Sequence, residues 1–149
     1  MRLETRLRCA TPGKPETFYR AALAEEEEAL RRGITVVVYT KRKLLSLDND
    51  TKQAALERSV KISDAVQSLV GRLNVRPAFV IAKGGITSSD VGTKALKVKR
   101  ANVLGQIRPG IPVWQTGAES KFPGIPYVIF PGNVGEEETL REVVEILQG

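Results

Sequence analysis

Apolar and polar positions alternate along the chain with two periods. Leu3, Thr5, Leu7 and Cys9 alternate with charged residues, the period of a short edge strand, and Thr11-Pro12-Gly13 supplies the turn after it. From Glu16 to Arg32 the chain is rich in Ala, Leu and Glu, which predicts a helix with Leu23, Ala24 and Leu30 on its apolar face and Gly33 as its stop. The β-branched run Ile34 to Thr40 has the composition of a strand covered on both faces and reads as a central parallel strand. Asp48 or Asp50 is placed to cap a long helix reaching about Leu73, in which Ala55, Ile62, Ala65, Val66, Leu69, Val70 and Leu73 recur at helical spacing. Beyond Arg76-Pro77 the pattern predicts a strand at Ala78 to Ala82 and a helix from Thr87 or Ser88 to about Leu96. Short strands follow at Ala101 to Leu104, Val113 to Thr116 and Tyr127 to Phe130, before a last helix from Glu136 to Leu147. This alternation predicts an α/β fold, a three-layer α/β/α domain with a mainly parallel sheet, and residues 1–149 read as one domain.

Composition narrows the chemistry. The 149 residues carry no histidine, and Cys9 is the single cysteine, which removes disulfide frameworks, thiolate or imidazole zinc sites and histidine-based catalytic triads. A metal would have to be held by oxygen ligands, as magnesium or calcium is. The net charge of +6 favours an anionic partner. No apolar run approaches the roughly 20 residues of a membrane span, and the charges at Arg2, Glu4, Arg6 and Arg8 break any leader, so a cytoplasmic protein without a membrane partner is expected. Nucleic acid is not the expected partner either: only eight aromatics are present and acids are spread through both halves.

The informative segments are turns that follow strands, because open α/β sheets bind ligands where those turns gather. Ala82-Lys83-Gly84-Gly85-Ile86-Thr87-Ser88-Ser89-Asp90 leaves a strand and enters a helix; its glycines permit close backbone approach and the helix start offers amides to an anion. Pro131-Gly132-Asn133-Val134-Gly135 again follows a strand and precedes a helix, with Glu136, Glu137 and Glu138 read as its first turn. Neither is a Walker A loop or a Gly-x-Gly-x-x-Gly turn. Glycine pairs also occur at such turns for geometry alone, with Thr87, Ser88 or Asp90 acting only as caps.

Taken together, Gly84-Gly85-Ile86-Thr87, the segment Gly105-Gln106-Ile107-Arg108-Pro109-Gly110-Ile111-Pro112 and the Pro131 to Gly135 turn resemble the nucleotide-binding domain of the four-carbon acid sugar kinases. They follow that family's Gly-Gly-acidic-Thr loop, Pro-Gly-Val-Pro segment and Ser-Gly-Asn-Phe-Gly turn in order and spacing, over residues 34–147. The resemblance implies a transferase that uses ATP with magnesium to phosphorylate threonate, erythronate or oxo-tetronate acids, this part holding ATP and a separate amino-terminal domain holding the acid. By position, Gly84, Gly85, Ile86, Thr87 and Gly132 would contact the nucleotide. Ile86 departs from the pattern, which has an acid before the threonine, and Lys83 stands where a small or hydroxyl residue is usual. Asp90, one helical turn on, is a possible substitute for the acid. No residue is assigned as general base, and the sugar-acid domain is expected to lie outside these 149 residues.

Other patterns carry two readings. From Lys83 to Arg108 six basic residues face one acid, Asp90, a local charge of +5 (six minus one) that would steer a polyanion or would simply face water. Lys41-Arg42-Lys43 has the same two readings, and Glu25 to Glu28 reads as a surface face. Trp114 and Tyr127 read as core or rim packing. A non-catalytic nucleotide-binding or regulatory module is the alternative to the kinase, and self-association into a homo-oligomer stays open.

Overall fold

The structure, a computed structural model, describes residues 6–8, 16–40 and 51–149. Cys9, the Thr11-Pro12-Gly13 turn, Lys41-Arg42-Lys43 and the expected caps Asp48 and Asp50 lie outside the described residues. The chain forms two compact units, Met1–Val75 and Arg76–Gly149.

The first unit holds β1 (Arg6–Arg8), α1 (Glu16–Arg31), β2 (Val37–Tyr39) and α2 (Lys52–Arg72). α1 ends where glycine allows it: Gly33 has φ +71, its N–H donates to Leu30 O at 3.0 Å and that of Ile34 to Ala29 O at 2.9 Å. α2 is capped by Thr51, whose Oγ1 accepts from the Ala54 N–H at 3.2 Å, so the capping residue is the hydroxyl next to the expected aspartates. β1 and β2 pair in parallel with Leu7 opposite Val38. β2 differs from the expected central strand: among the described residues it pairs only with β1, and it turns Val37 and Tyr39 outward. Val36 and Val38 pack instead with Ala22, Leu69, Tyr19 and Leu23, so the β-branched run has one covered face. The buried face of α1 is Ala22, Glu26 and Ala29, at spacings of four and three, while Ala24 is exposed; the glutamate run is therefore not wholly a surface face.

The second unit holds β3 (Val80–Lys83), α3 (Gly85–Asp90), a π-helical turn (Val91–Ala95), β4 (Ala101–Arg108), β5 (Ile111–Thr116), β6 (Pro126–Phe130) and α4 (Thr139–Gln148). Its sheet has the order β3-β6-β5-β4, with β3 and β6 parallel and the other pairs antiparallel. The fold is α/β as expected, but the sheet is mixed, not mainly parallel. The reason is local: β4 and β5 are joined only by Pro109 and Gly110, and so short a connection returns the chain antiparallel. Gly110 has φ +76, and its N–H donates to Gln106 Oε1 at 2.8 Å.

Ile111, Val113, Val128 and Phe130 pack with Val143 of α4, joined by Ile81, Ile107, Val134, Leu140 and Leu147. Fully burying side chains of this size contributes about 1.5–3 kcal/mol each, so this cluster holds the strands that carry the glycine loops. Tyr127 alternates with Val128 along β6 and donates its hydroxyl proton to Ser88 O of α3 at 2.5 Å. Its burial raises its pKa, against a smaller lowering by the Gly92 backbone. α4 begins at Thr139, after the three glutamates, because Thr139 Oγ1 accepts from the Glu136 N–H at 2.8 Å and closes a turn there. No helix among the described residues is long and apolar enough to cross a membrane.

Candidate functional site

β3 and β6 run in parallel, so the two glycine loops leave the same end of the sheet. The ladder extends one step past the strands: Gly84 N–H donates to Phe130 O at 2.9 Å. Gly84 then turns with φ +106 and ψ 145, a backbone state that strongly favours glycine, and its carbonyl accepts the first helical bond from Ser88 N at 2.8 Å. α3 thus starts at Gly85, earlier than the expected Thr87 or Ser88, which puts the Gly85, Ile86 and Thr87 amides in its first turn, where no intrahelical partner exists. A Cβ on Gly85 would meet nothing within 4 Å. Ile86 is 59% exposed, Thr87 is half-buried, and Ser88 is buried with its hydroxyl donating to Ala82 O at 2.8 Å.

The second loop comes against the first. A Cβ on Gly132 would lie 3.8 Å from Gly84 Cα, ordinary van der Waals contact, so the two loops are immediate neighbours. Lys83 bridges them, with Nζ 4.0 Å from the centroid of the Phe130 ring and donating to Pro131 O at 3.2 Å. The third motif joins the same end of the unit: a Cβ on Gly110 would lie 3.3 Å from Val134 Cγ1. Four of the five expected contact residues, Gly84, Gly85, Ile86 and Thr87, are consecutive at the α3 start, and the fifth, Gly132, faces Gly84 across the gap.

Part of the positive charge of the Lys83 to Arg108 segment is answered by neighbouring carboxylates. Lys94 pairs with Asp90 at 3.1 Å and Arg108 with Glu142 at 3.0 Å. Glu119 Oε1 accepts from the Lys99 and Arg100 backbone N–H groups at 2.8 and 2.7 Å, and its carboxyl pKa is lowered first by its own backbone hydrogen bond and then by these two. Asp90, the expected stand-in for the missing acid, is thus engaged by Lys94. Among the described residues no group of three or more His, Cys, Asp or Glu comes together as a metal site.

One feature the sequence did not signal is a cavity of about 300 Å³ beside the first loop, in which Trp114 and Tyr127 face Gly85, Ser89 and Gly92. The helical spacing of Gly85, Ser89 and Gly92 was the available signal, hidden because glycine and serine carry no hydrophobic pattern.

A family model described as the nucleotide-binding C-terminal domain matches residues 2–140. Two crystal structures of a domain of unknown function (DUF1537) from Bordetella bronchiseptica, each with bound citrate and a domain-swapped dimer, share the fold. One is 23% identical with a TM-score of 0.58 over 90% of this chain, the other 19% identical with a TM-score of 0.66 over 97%. In both, this chain spans 32% of the other chain's length. No curated protein matches significantly. The chain belongs to the family of nucleotide-binding C-terminal domains, and its solved neighbours are DUF1537 proteins, which belong to the four-carbon acid sugar kinase family.

Proposed function

We propose that this chain is the ATP-binding domain of a kinase that phosphorylates four-carbon sugar acids of the threonate, erythronate or oxo-tetronate type. The observation that carries the proposal is the approach of Gly132 to Gly84, which brings two glycine loops of a nucleotide-binding family to one gap at the end of β3 and β6. In this reading residues 1–149 act as one nucleotide-binding domain of three-layer α/β/α type, and a separate amino-terminal domain holds the sugar acid. Triphosphate oxygens take the amides of Gly85, Ile86 and Thr87, with Gly132 packed on the nucleotide and Lys83 supplying positive charge beside it. The γ-phosphoryl passes to a substrate hydroxyl, with this domain contributing positioning and charge stabilisation.

Magnesium accompanies ATP in this reading. The described residues form no cage for it, and Ile86 occupies the position of the family's acid, so the donors it finds are phosphate oxygens and water.

A second reading, a non-catalytic nucleotide-binding or regulatory module, is favoured by one observation: Ile86 points an apolar side chain outward where the pattern has an acid, and Asp90 is tied to Lys94. Isothermal titration calorimetry with ATP and magnesium tests nucleotide binding, which both readings require. Phosphorylation of threonate or erythronate by the chain together with an amino-terminal domain separates them. Self-association and a cytoplasmic setting belong to the same proposal.

A further inference from the structure

Resting on the nucleotide reading above, we infer that the cavity between α3 and the sheet is the seat of the nucleobase, and that it accepts purines without discriminating between them. The cavity shares Gly85 with the phosphate loop, so one ligand reaches both places: a charged end at the helix start and an apolar, planar end against Trp114. A sugar acid, hydroxylated along its length, has no such apolar face. Its volume of about 300 Å³ stands at the lower end of ligand sites, which is room for a ring system and not for a whole nucleotide.

The walls are shaped for a flat group. Gly85 leaves open space at the helix start, and Gly92 lets the Tyr127 ring lie against the helix, since a Cβ there would come 3.2 Å from Tyr127 Cε1. The backbone widens into the π-helical turn Val91–Ala95 at this point, a distortion frequent at functional sites. Trp114 and Ile129 complete the opposite wall.

Three hydroxyl groups of the lining are turned to the protein main chain. Ser88 Oγ donates to Ala82 O, Tyr127 OH to Ser88 O, and Thr93 Oγ1 to Ser89 O at 2.8 Å. With these three hydroxyl protons engaged by main-chain carbonyls, the wall offers mainly ring faces and aliphatic groups, with Ser89 exposed at its edge. Stacking is tolerant because every base has a π face. A site of this kind separates ligands by about 10- to 200-fold at most, where one built on hydrogen bonds reaches about 10⁴-fold.

Trp114 is the sole tryptophan, so its emission reports on this cavity alone. Titrating the whole chain with ATP is expected to quench Trp114, whereas inorganic tripolyphosphate is expected to compete with ATP in calorimetry and leave Trp114 unchanged. GTP is expected within about tenfold of ATP. Thr93→Phe, which plugs the cavity from an exposed position, should weaken ATP by about tenfold or more, the equivalent of about 1.4 kcal/mol, with tripolyphosphate affinity retained. ATP binding in calorimetry with unchanged Trp114 emission would overturn the nucleobase seat and leave the nucleotide reading standing. GTP binding more than about a hundredfold weaker than ATP would overturn the indifference to the base. Failure of ATP and tripolyphosphate alike to bind would overturn the nucleotide reading and this inference with it.

Discussion

Gly132 and Gly84 face each other so closely that a Cβ begun at Gly132 lies 3.8 Å from the Gly84 Cα. Forty-eight positions apart in sequence, they meet because β3 and β6 are hydrogen-bonded in parallel and both loops leave the same end, with Gly84 N–H bound to Phe130 O. The hydrophobic cluster that fixes β6 against α4 thereby fixes the width of the gap.

The two adjacent glycines of the first loop are expected to respond differently to substitution. Gly84 holds φ +106, so Gly84→Ala strains the backbone and should cost about 1–3 kcal/mol of stability. Gly85 has open space around it, so Gly85→Val should change stability by less than about 1 kcal/mol while obstructing the amides proposed to take phosphate. Thermal unfolding and ATP calorimetry on both variants check this. A folded Gly85→Val protein that binds ATP as the parent does would falsify the assignment of the loop.

What was legible in the sequence follows from which residues act locally. α1 and its stop at Gly33 were readable because propensity and a positive-φ glycine act within one turn of chain. The mixed sheet is not legible locally, because the apolar pattern ends one strand at Leu104 and begins the next at Val113, whereas the strands run to Arg108 and from Ile111 and form a hairpin at Pro109-Gly110. The glycine loops were legible individually. Their proximity was not, since it depends on the pairing of β3 with β6, a long-range choice no local pattern encodes. Burial of Glu26 inside a run of four glutamates was hidden for the opposite reason: composition there describes only the surface members.

Lys83 ties the two loops together through the Phe130 ring and Pro131 O. Lys83→Met keeps the methylene stem and removes the charge and the hydrogen bond. Being exposed, the cation–π contact is worth only about 0.5–1 kcal/mol, so stability should hardly change. ATP affinity should fall by about tenfold, because in the proposed site the lost charge would lie beside the phosphates. Calorimetry at two salt concentrations checks the electrostatic origin: the parent should lose affinity with salt more steeply than the variant.

Glu26 is 5% exposed, and its Oε2 has no hydrogen-bond partner. Burial first, and then the neighbouring charge of Glu27, push its pKa from 4.5 up to about 7. Between those values the folded chain keeps a proton the unfolded chain has lost, so stability is greatest below the unfolded pKa and falls as pH rises through the folded one. The fall is on the order of 3 kcal/mol, one pKa unit being about 1.4 kcal/mol. Glu26→Gln should remove that slope and exceed the parent in stability above about pH 8. Denaturant unfolding across the pH range measures it; parallel profiles for parent and variant would show that Glu26 is ionised in the folded state.

The last prediction separates binding from transfer. Phosphoryl transfer requires donor and acceptor held in line, and holding two reactants together is worth about 7–11 kcal/mol of the barrier. This chain carries the glycine loops, spans 32% of the length of its solved neighbours, and presents Ile86 outward beside the gap, where a group from a second domain would stand. Alone it should bind ATP weakly, with Kd between about 1 μM and 1 mM, and show no turnover on threonate or erythronate. Adding an amino-terminal domain of the family should restore transfer and tighten ATP, since closing the gap excludes water and completes the site. Coupled ADP-release assays on the chain with and without that domain measure both effects. Sustained turnover by these 149 residues alone would mean that the acceptor is held within them, and the division of labour between two domains would have to be abandoned.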